Sequence, residues 1–172
     1  MADFLQAYEV MIRDEGGYKL HTVEGDRGGM TYAGIARNFN PGWIGWEYID
    51  RDETPPTDLV RVWYRANYWF PIRGDEIKDQ RIASSIFNFA VNSSAPGRPT
   101  VAIKLAQLVV GATPDGALGP RTVEALNAFD PDKFVMAYAL AKIARYRDIV
   151  TRDRSQSKFL LGWINRTLRG VA

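Results

Sequence analysis

Apolar side chains recur at intervals of three and four residues through most of this chain, and that spacing limits its fold more than any other feature. Phe4, Tyr8 and Met11 open one stripe, Ile82, Ile86 and Phe89 mark another, and Val101, Leu105, Leu108 and Val109 a third. Leu59, Val62, Trp63 and Tyr68 follow the prolines at 55 and 56, which suit the first turn of a helix. Asp130-Pro131 reads as an N-cap followed by proline at the first helical position. The helix it starts carries Phe134, Tyr138, Ala141 and Arg145 and is predicted to run to about residue 152. A last helix, from Gln156 to Leu168, places Phe159, Trp163 and Ile164 on its apolar side. The fold class expected is therefore mainly α, interrupted by a loop or small β-hairpin near residues 18–35.

Three glycines (Gly28, Gly29 and Gly34) cluster in that interruption, with Asp26, Thr31 and Tyr32. Glycine at this density marks a tight turn or a close backbone approach. The preceding stripe continues from Met11 to Glu15, so an acid occupies the end of an apolar face before Gly16-Gly17 stops the helix. A carboxyl group at the edge of a core loses solvation, and its pKa rises toward the range of a general acid. The same glutamate on a face turned outward would be an ordinary solvated residue. With a second acid and a hydroxyl behind a glycine-built turn, however, the set matches what glycoside hydrolysis needs.

Composition narrows the field. At 172 residues with 46% hydrophobic content the chain can bury a substantial core. The 22 basic against 20 acidic residues leave a net charge of +2, too small for a nucleic-acid footprint. No cysteine is present, and the single histidine, His21, excludes the common His-cluster zinc sites. No metal or cofactor is expected. The N-terminus shows no signal peptide or membrane span. Synthesis in the cytoplasm, no stable membrane insertion and a monomeric state are the corresponding expectations. Pro96-Gly97-Arg98-Pro99 is the best candidate boundary, giving regions 1–95 and 96–172 that pack into one unit.

The run EGGY, then D-x-GG-x-T-x-x-GI, resembles the signature of glycoside hydrolase family 108, the N-acetylmuramidases of phage endolysins and secretion-activator proteins. Tyr68-Trp69, Ala90-Val91-Asn92, the run from Asp115 to Thr122 and the run from Phe159 to Arg166 are similar to further family motifs, over nearly the whole chain. The resemblance implies a lysozyme-like helical bundle with a C-terminal peptidoglycan-binding-like region. It implies hydrolysis of the β-1,4 bond between N-acetylmuramic acid and N-acetylglucosamine in peptidoglycan glycan strands. Glu15 would be the catalytic acid, with Asp26 and Thr31 completing the catalytic set. Inversion is expected, because the long loop between the acids and the hydroxyl fit the positioning of water. Action in the periplasm or cell wall would follow holin-type or other non-Sec delivery. Two departures stand out: Asn88 where an aspartate is common, and Ala33 where an aromatic residue often precedes Gly-Ile. Asn88 is therefore assigned no catalytic role.

Aromatic residues in the same half are candidates to stack on sugar rings. The substrate-binding set expected is Tyr32, Trp43, Trp46, Tyr68 and Asn92. Trp43 and Trp46 suit a groove or a core equally, Tyr68 leans toward structure, and Asn92 is either an intramolecular anchor or a sugar amide contact. Trp63 and Trp163 are read as core. Rival functions are a lytic transglycosylase, a non-catalytic wall-binding module, and a helical regulator supported only by the basic stretch from Arg145 to Arg169.

Overall fold

The structure is a computed structural model, and it describes residues 1–14, 16–22 and 28–171. These residues form eight α-helices: α1 (Phe4–Asp14), α2 (Gly45–Ile49), α3 (Thr57–Tyr64), α4 (Gln80–Ser93), α5 (Thr100–Val109), α6 (Pro120–Ala128), α7 (Pro131–Arg152) and α8 (Ser157–Arg169). Between α1 and α2 lies a three-stranded antiparallel sheet in the order β1 (Leu20–Thr22), β2 (Met30–Tyr32), β3 (Ile35–Ala36). The helices predicted from spacing are present, and the expected hairpin region gains a third strand. No helix among the described residues is long and apolar enough to cross a membrane.

α4 is the centre of the molecule. It buries Ile82, Ala83, Ile86, Phe87, Phe89 and Ala90, which occupy more than one face, because it packs against α1, α5 and α7. Phe87 meets Phe4 and Trp69 edge-on, while Phe89 meets Tyr138 and Tyr146 on the α7 side. The Asp79 side chain starts α4 by accepting from the Arg81 and Ile82 backbone N–H groups, and Asp130 accepts from Lys133 at the start of α7. The N-terminus is tied to α4 as well. Asp3 N–H donates to Gln80 Oε1 at 2.6 Å, and Gln80 Nε2 donates back to the Asp3 carbonyl at 3.0 Å.

The expected helix through Tyr68 changes character after Tyr64. Residues Arg65–Trp69 form a π-helical turn, and the wider turn lets both Tyr68 and Trp69 face the core although they are neighbours. On α7 the buried stripe is Phe134, Tyr138, Lys142, Tyr146 and Val150, a strict i+4 series. This replaces the predicted continuation through Ala141 and Arg145, since a lysine hid the periodicity. Trp63 and Trp163 are half-buried rather than fully enclosed, and Phe159 is exposed.

Several bonds cross from the α4 region to later elements. Asn127 accepts from Lys78 N–H at 2.7 Å and donates to the Glu76 carbonyl at 2.9 Å, and Arg81 pairs with Asp132. The Asp115-Gly116-Ala117 turn closes on the buried Gln107. Gln107 Nε2 donates to Asp115 Oδ1, the Ala117 carbonyl and Thr122 Oγ1, while its Oε1 accepts from Gly116 N–H.

Candidate active site

α1 ends because Gly16 and Gly17 take φ of +89° and +78°, and Gly17 N–H closes back on the Ile12 carbonyl at 2.8 Å. The chain then enters β1. Glu15 and Asp26, the two acids expected to carry the chemistry, lie outside the described residues. The surroundings of α1's last turn are described. Tyr8 on its inner face shares a hydrogen bond with Tyr18 at 2.9 Å and packs on Tyr64. Burial pushes the Tyr8 phenol well above its ordinary range, and the Tyr18 bond adds to the shift. A phenol held neutral in this way is a fixed dipole beside the end of α1.

The sheet is anchored to the same cluster. Ala33 and Gly34 join β2 to β3 with φ of +48° and +79°, the pair of positive values that a type I′ hairpin turn requires. An alanine is strained there by about 1–2 kcal/mol. Tyr64 Oη donates to the Ala33 carbonyl at 3.0 Å, and Ala33 N–H bonds the Lys19 carbonyl at 3.1 Å. Those two bonds fix the turn. Thr31, one residue before Tyr32 on β2, is buried, and its Oγ1 donates to the Gly29 carbonyl at 3.4 Å.

The expected sugar platform is mostly wall. Tyr32 stacks on Trp43 at 6.0 Å, and Trp43 meets Trp46 edge-on at 5.1 Å. Trp46 is 3% exposed, its Nε1 donates to the Asn40 carbonyl, and Arg37 lies over its ring while pairing with Asp50. Tyr68 is buried against Tyr64 and Trp63. Rings covered by one another offer little open face to a sugar, and Trp43, Trp46 and Tyr68 are all buried. The sheet cluster does retain unspent polarity: Tyr32 Oη and Trp43 Nε1 are buried without a hydrogen-bond partner among the described residues.

Asn92 falls elsewhere. It sits in the last turn of α4, where its amide nitrogen donates to the Asn88 carbonyl at 2.7 Å and its oxygen accepts from Arg166 of α8. Asn92 and Asn88 line a cavity of about 410 Å³ that also reaches Asp14, the last residue of α1. Lys142 of α7 lines it too. Sequence reasoning missed this residue, although a lysine spaced four residues from both Tyr138 and Tyr146 was the available signal.

A helical body with a small sheet set against the end of its first helix is a lysozyme-like fold. Residues 8–94 match glycosyl hydrolase 108 and residues 101–168 match a predicted peptidoglycan domain. The chain belongs to glycosyl hydrolase family 108, and it is a glycoside hydrolase that acts on peptidoglycan. Among solved structures it resembles SagA of Brucella abortus, with 26% identity and a TM-score of 0.71 over 98% of this chain and 91% of that one. No curated protein matches it.

Proposed function

We propose that the chain is an N-acetylmuramidase that cleaves the β-1,4 bond between N-acetylmuramic acid and N-acetylglucosamine. The observation that carries this reading is the family match over residues 8–94, which encloses the EGGY and D-x-GG-x-T-x-x-GI runs. Glu15 protonates the glycosidic oxygen, and Asp26 with Thr31 positions water or stabilises the oxocarbenium-like transition state. Water attack on the face opposite the leaving group gives inversion. The neutral Tyr8 phenol and the fixed Ala33-Gly34 turn support a rigid surround for that chemistry.

On this reading residues 1–95 form the catalytic region and 96–172 pack against it as one body. The Asn127 bonds to residues 76 and 78 and the Arg81–Asp132 pair support that division of labour. The enzyme works as a monomer at the cell wall, reached through holin-type or other non-Sec delivery. Digestion of purified peptidoglycan, with reduction and mass analysis of the released muropeptides, tests the assignment. Reducible muramic acid ends that vanish in Glu15→Gln establish a muramidase with Glu15 as its acid. Anhydro-muramic ends would move the protein to the transglycosylases, and no release would reduce it to a wall-binding module.

A further inference from the structure

The cavity where α1, α4, α7 and α8 meet contains a charge with no counterion among the described residues. Lys142 is 9% exposed, and no carboxylate among the described residues pairs with it. The contacts its ammonium makes are ring faces, Tyr138 at 4.7 Å and Phe89 at 5.6 Å. Aromatic faces attract a cation but leave its N–H groups without acceptors. Beside it Asn88 Oδ1 is a buried acceptor without a donor among the described residues. Leaving both uncompensated costs a folded protein stability, so a built site that does so is shaped for something else.

The remaining charges at the cavity give the sign of the ligand. Arg166 and Arg169 stand on the α8 side and Asp14 on the α1 side. Arg81 is already neutralised by Asp79 and Asp132. Among the described residues the balance is positive, with one cation deep and two exposed. An anion satisfies Lys142, and an N–H close to that anion satisfies Asn88.

We infer that this cavity binds a carboxylate flanked by an amide N–H, presented by the peptidoglycan that the enzyme cuts. The inference rests on the peptidoglycan-hydrolase reading for its choice of ligand. Two parts of the wall carry this chemistry: a free carboxylate of the peptide attached to muramic acid, and the lactyl carboxylate of muramic acid that has lost its peptide and keeps its N-acetyl N–H. Lys142 takes the carboxylate, Arg166 holds it at the mouth, and Asn88 accepts from the amide. The site thereby adds a contact to a part of the substrate away from the scissile bond.

Calorimetric titration with a soluble disaccharide–peptide fragment tests the subsite without requiring turnover. Wild type, Lys142→Met and Arg166→Gln are each titrated with the free-acid fragment, with the same fragment after amidation of its carboxylates, and with the peptide-free disaccharide. Lys142→Met is expected to bind the free acid at least about tenfold more weakly, while the amidated fragment binds both proteins equally and weakly. Arg166→Gln, an exposed change that leaves the core intact, weakens binding less. Lys142-dependent binding of the peptide-free disaccharide assigns the lactyl carboxylate, and its loss assigns the peptide. Equal binding by wild type and Lys142→Met of both the free-acid fragment and the peptide-free disaccharide overturns the inference. Hydrolysis of whole peptidoglycan by the same wild-type preparation separates that failure from failure of the enzymatic reading.

Discussion

Replacing Lys142 with methionine should make the protein more stable, against the usual direction of core substitutions. Desolvation holds the Lys142 pKa down from 10.5 to about 8. A drop of that size means that the charged form is disfavoured in the fold by roughly 3 kcal/mol at neutral pH. Methionine fills similar space without the charge, and losing the contacts with Phe89 and Tyr138 offsets about 1 kcal/mol. The net gain is about 2 kcal/mol, or roughly 4–8 °C in Tm for a chain of this size. The pH dependence supplies the internal control. Because the folded pKa lies below the unfolded one, the unfolded state binds more protons between pH 8 and 10.5, and wild-type stability rises with pH across that window. Tyr8, Tyr32, Tyr138 and Tyr146, raised by burial, lower the stability of both proteins alike from about pH 9, where phenols of the unfolded chain begin to ionise. Thermal unfolding of both proteins at pH 7, 8, 9 and 10 should show the stability lead of Lys142→Met over the wild type shrinking by about 2 kcal/mol. A variant that melts no higher than wild type at pH 7, with a difference that stays flat across the series, would refute a desolvated Lys142.

Glu15→Gln should lower the release of reducing ends from purified peptidoglycan by roughly 10²–10⁴-fold, and turnover within tenfold of wild type would exclude it as the general acid. Gly74→Ala places a methyl group 2.3 Å from the fully buried Trp69 ring, so chemical denaturation should show a loss of about 1–3 kcal/mol; an unchanged midpoint would contradict the packing. Gln107→Leu strips three hydrogen bonds from the Asp115 turn and a fourth from Thr122, and should cost about 2–4 kcal/mol in thermal unfolding. The Ala117 N–H and the Gln107 amide hold the Asp115 carboxyl below its ordinary value. Its contribution is therefore present above about pH 4 and lost as pH falls further, and an acid-unfolding series on Gln107→Leu should show less of that loss than wild type.

The helical stripes, the cap at Asp130 and the glycine stop after α1 were legible because each is a local matter of backbone geometry and nearest neighbours. The motif order that points to family 108 lies in the chain itself, as do the two acids and the threonine of the proposed chemistry. Burial was not legible. Trp43, Trp46 and Tyr68 have the composition of a sugar platform, yet whether a ring faces solvent depends on what the fold packs over it, and here Tyr32, Asn40 and Tyr64 do. The π turn at Arg65–Trp69 was invisible for the same reason, since a shift of register is stabilised by the core it serves rather than by its own residues. The cavity is the extreme case. Asp14, Asn88, Lys142 and Arg166 are scattered over four helices, and only their packing removes the water that would otherwise solvate Lys142. The sequence alone determined which segments are helices and where the glycine stop after α1 falls, because those follow from short-range spacing. The tertiary structure decided which polar groups are left uncompensated, because desolvation is a property of the whole packed body.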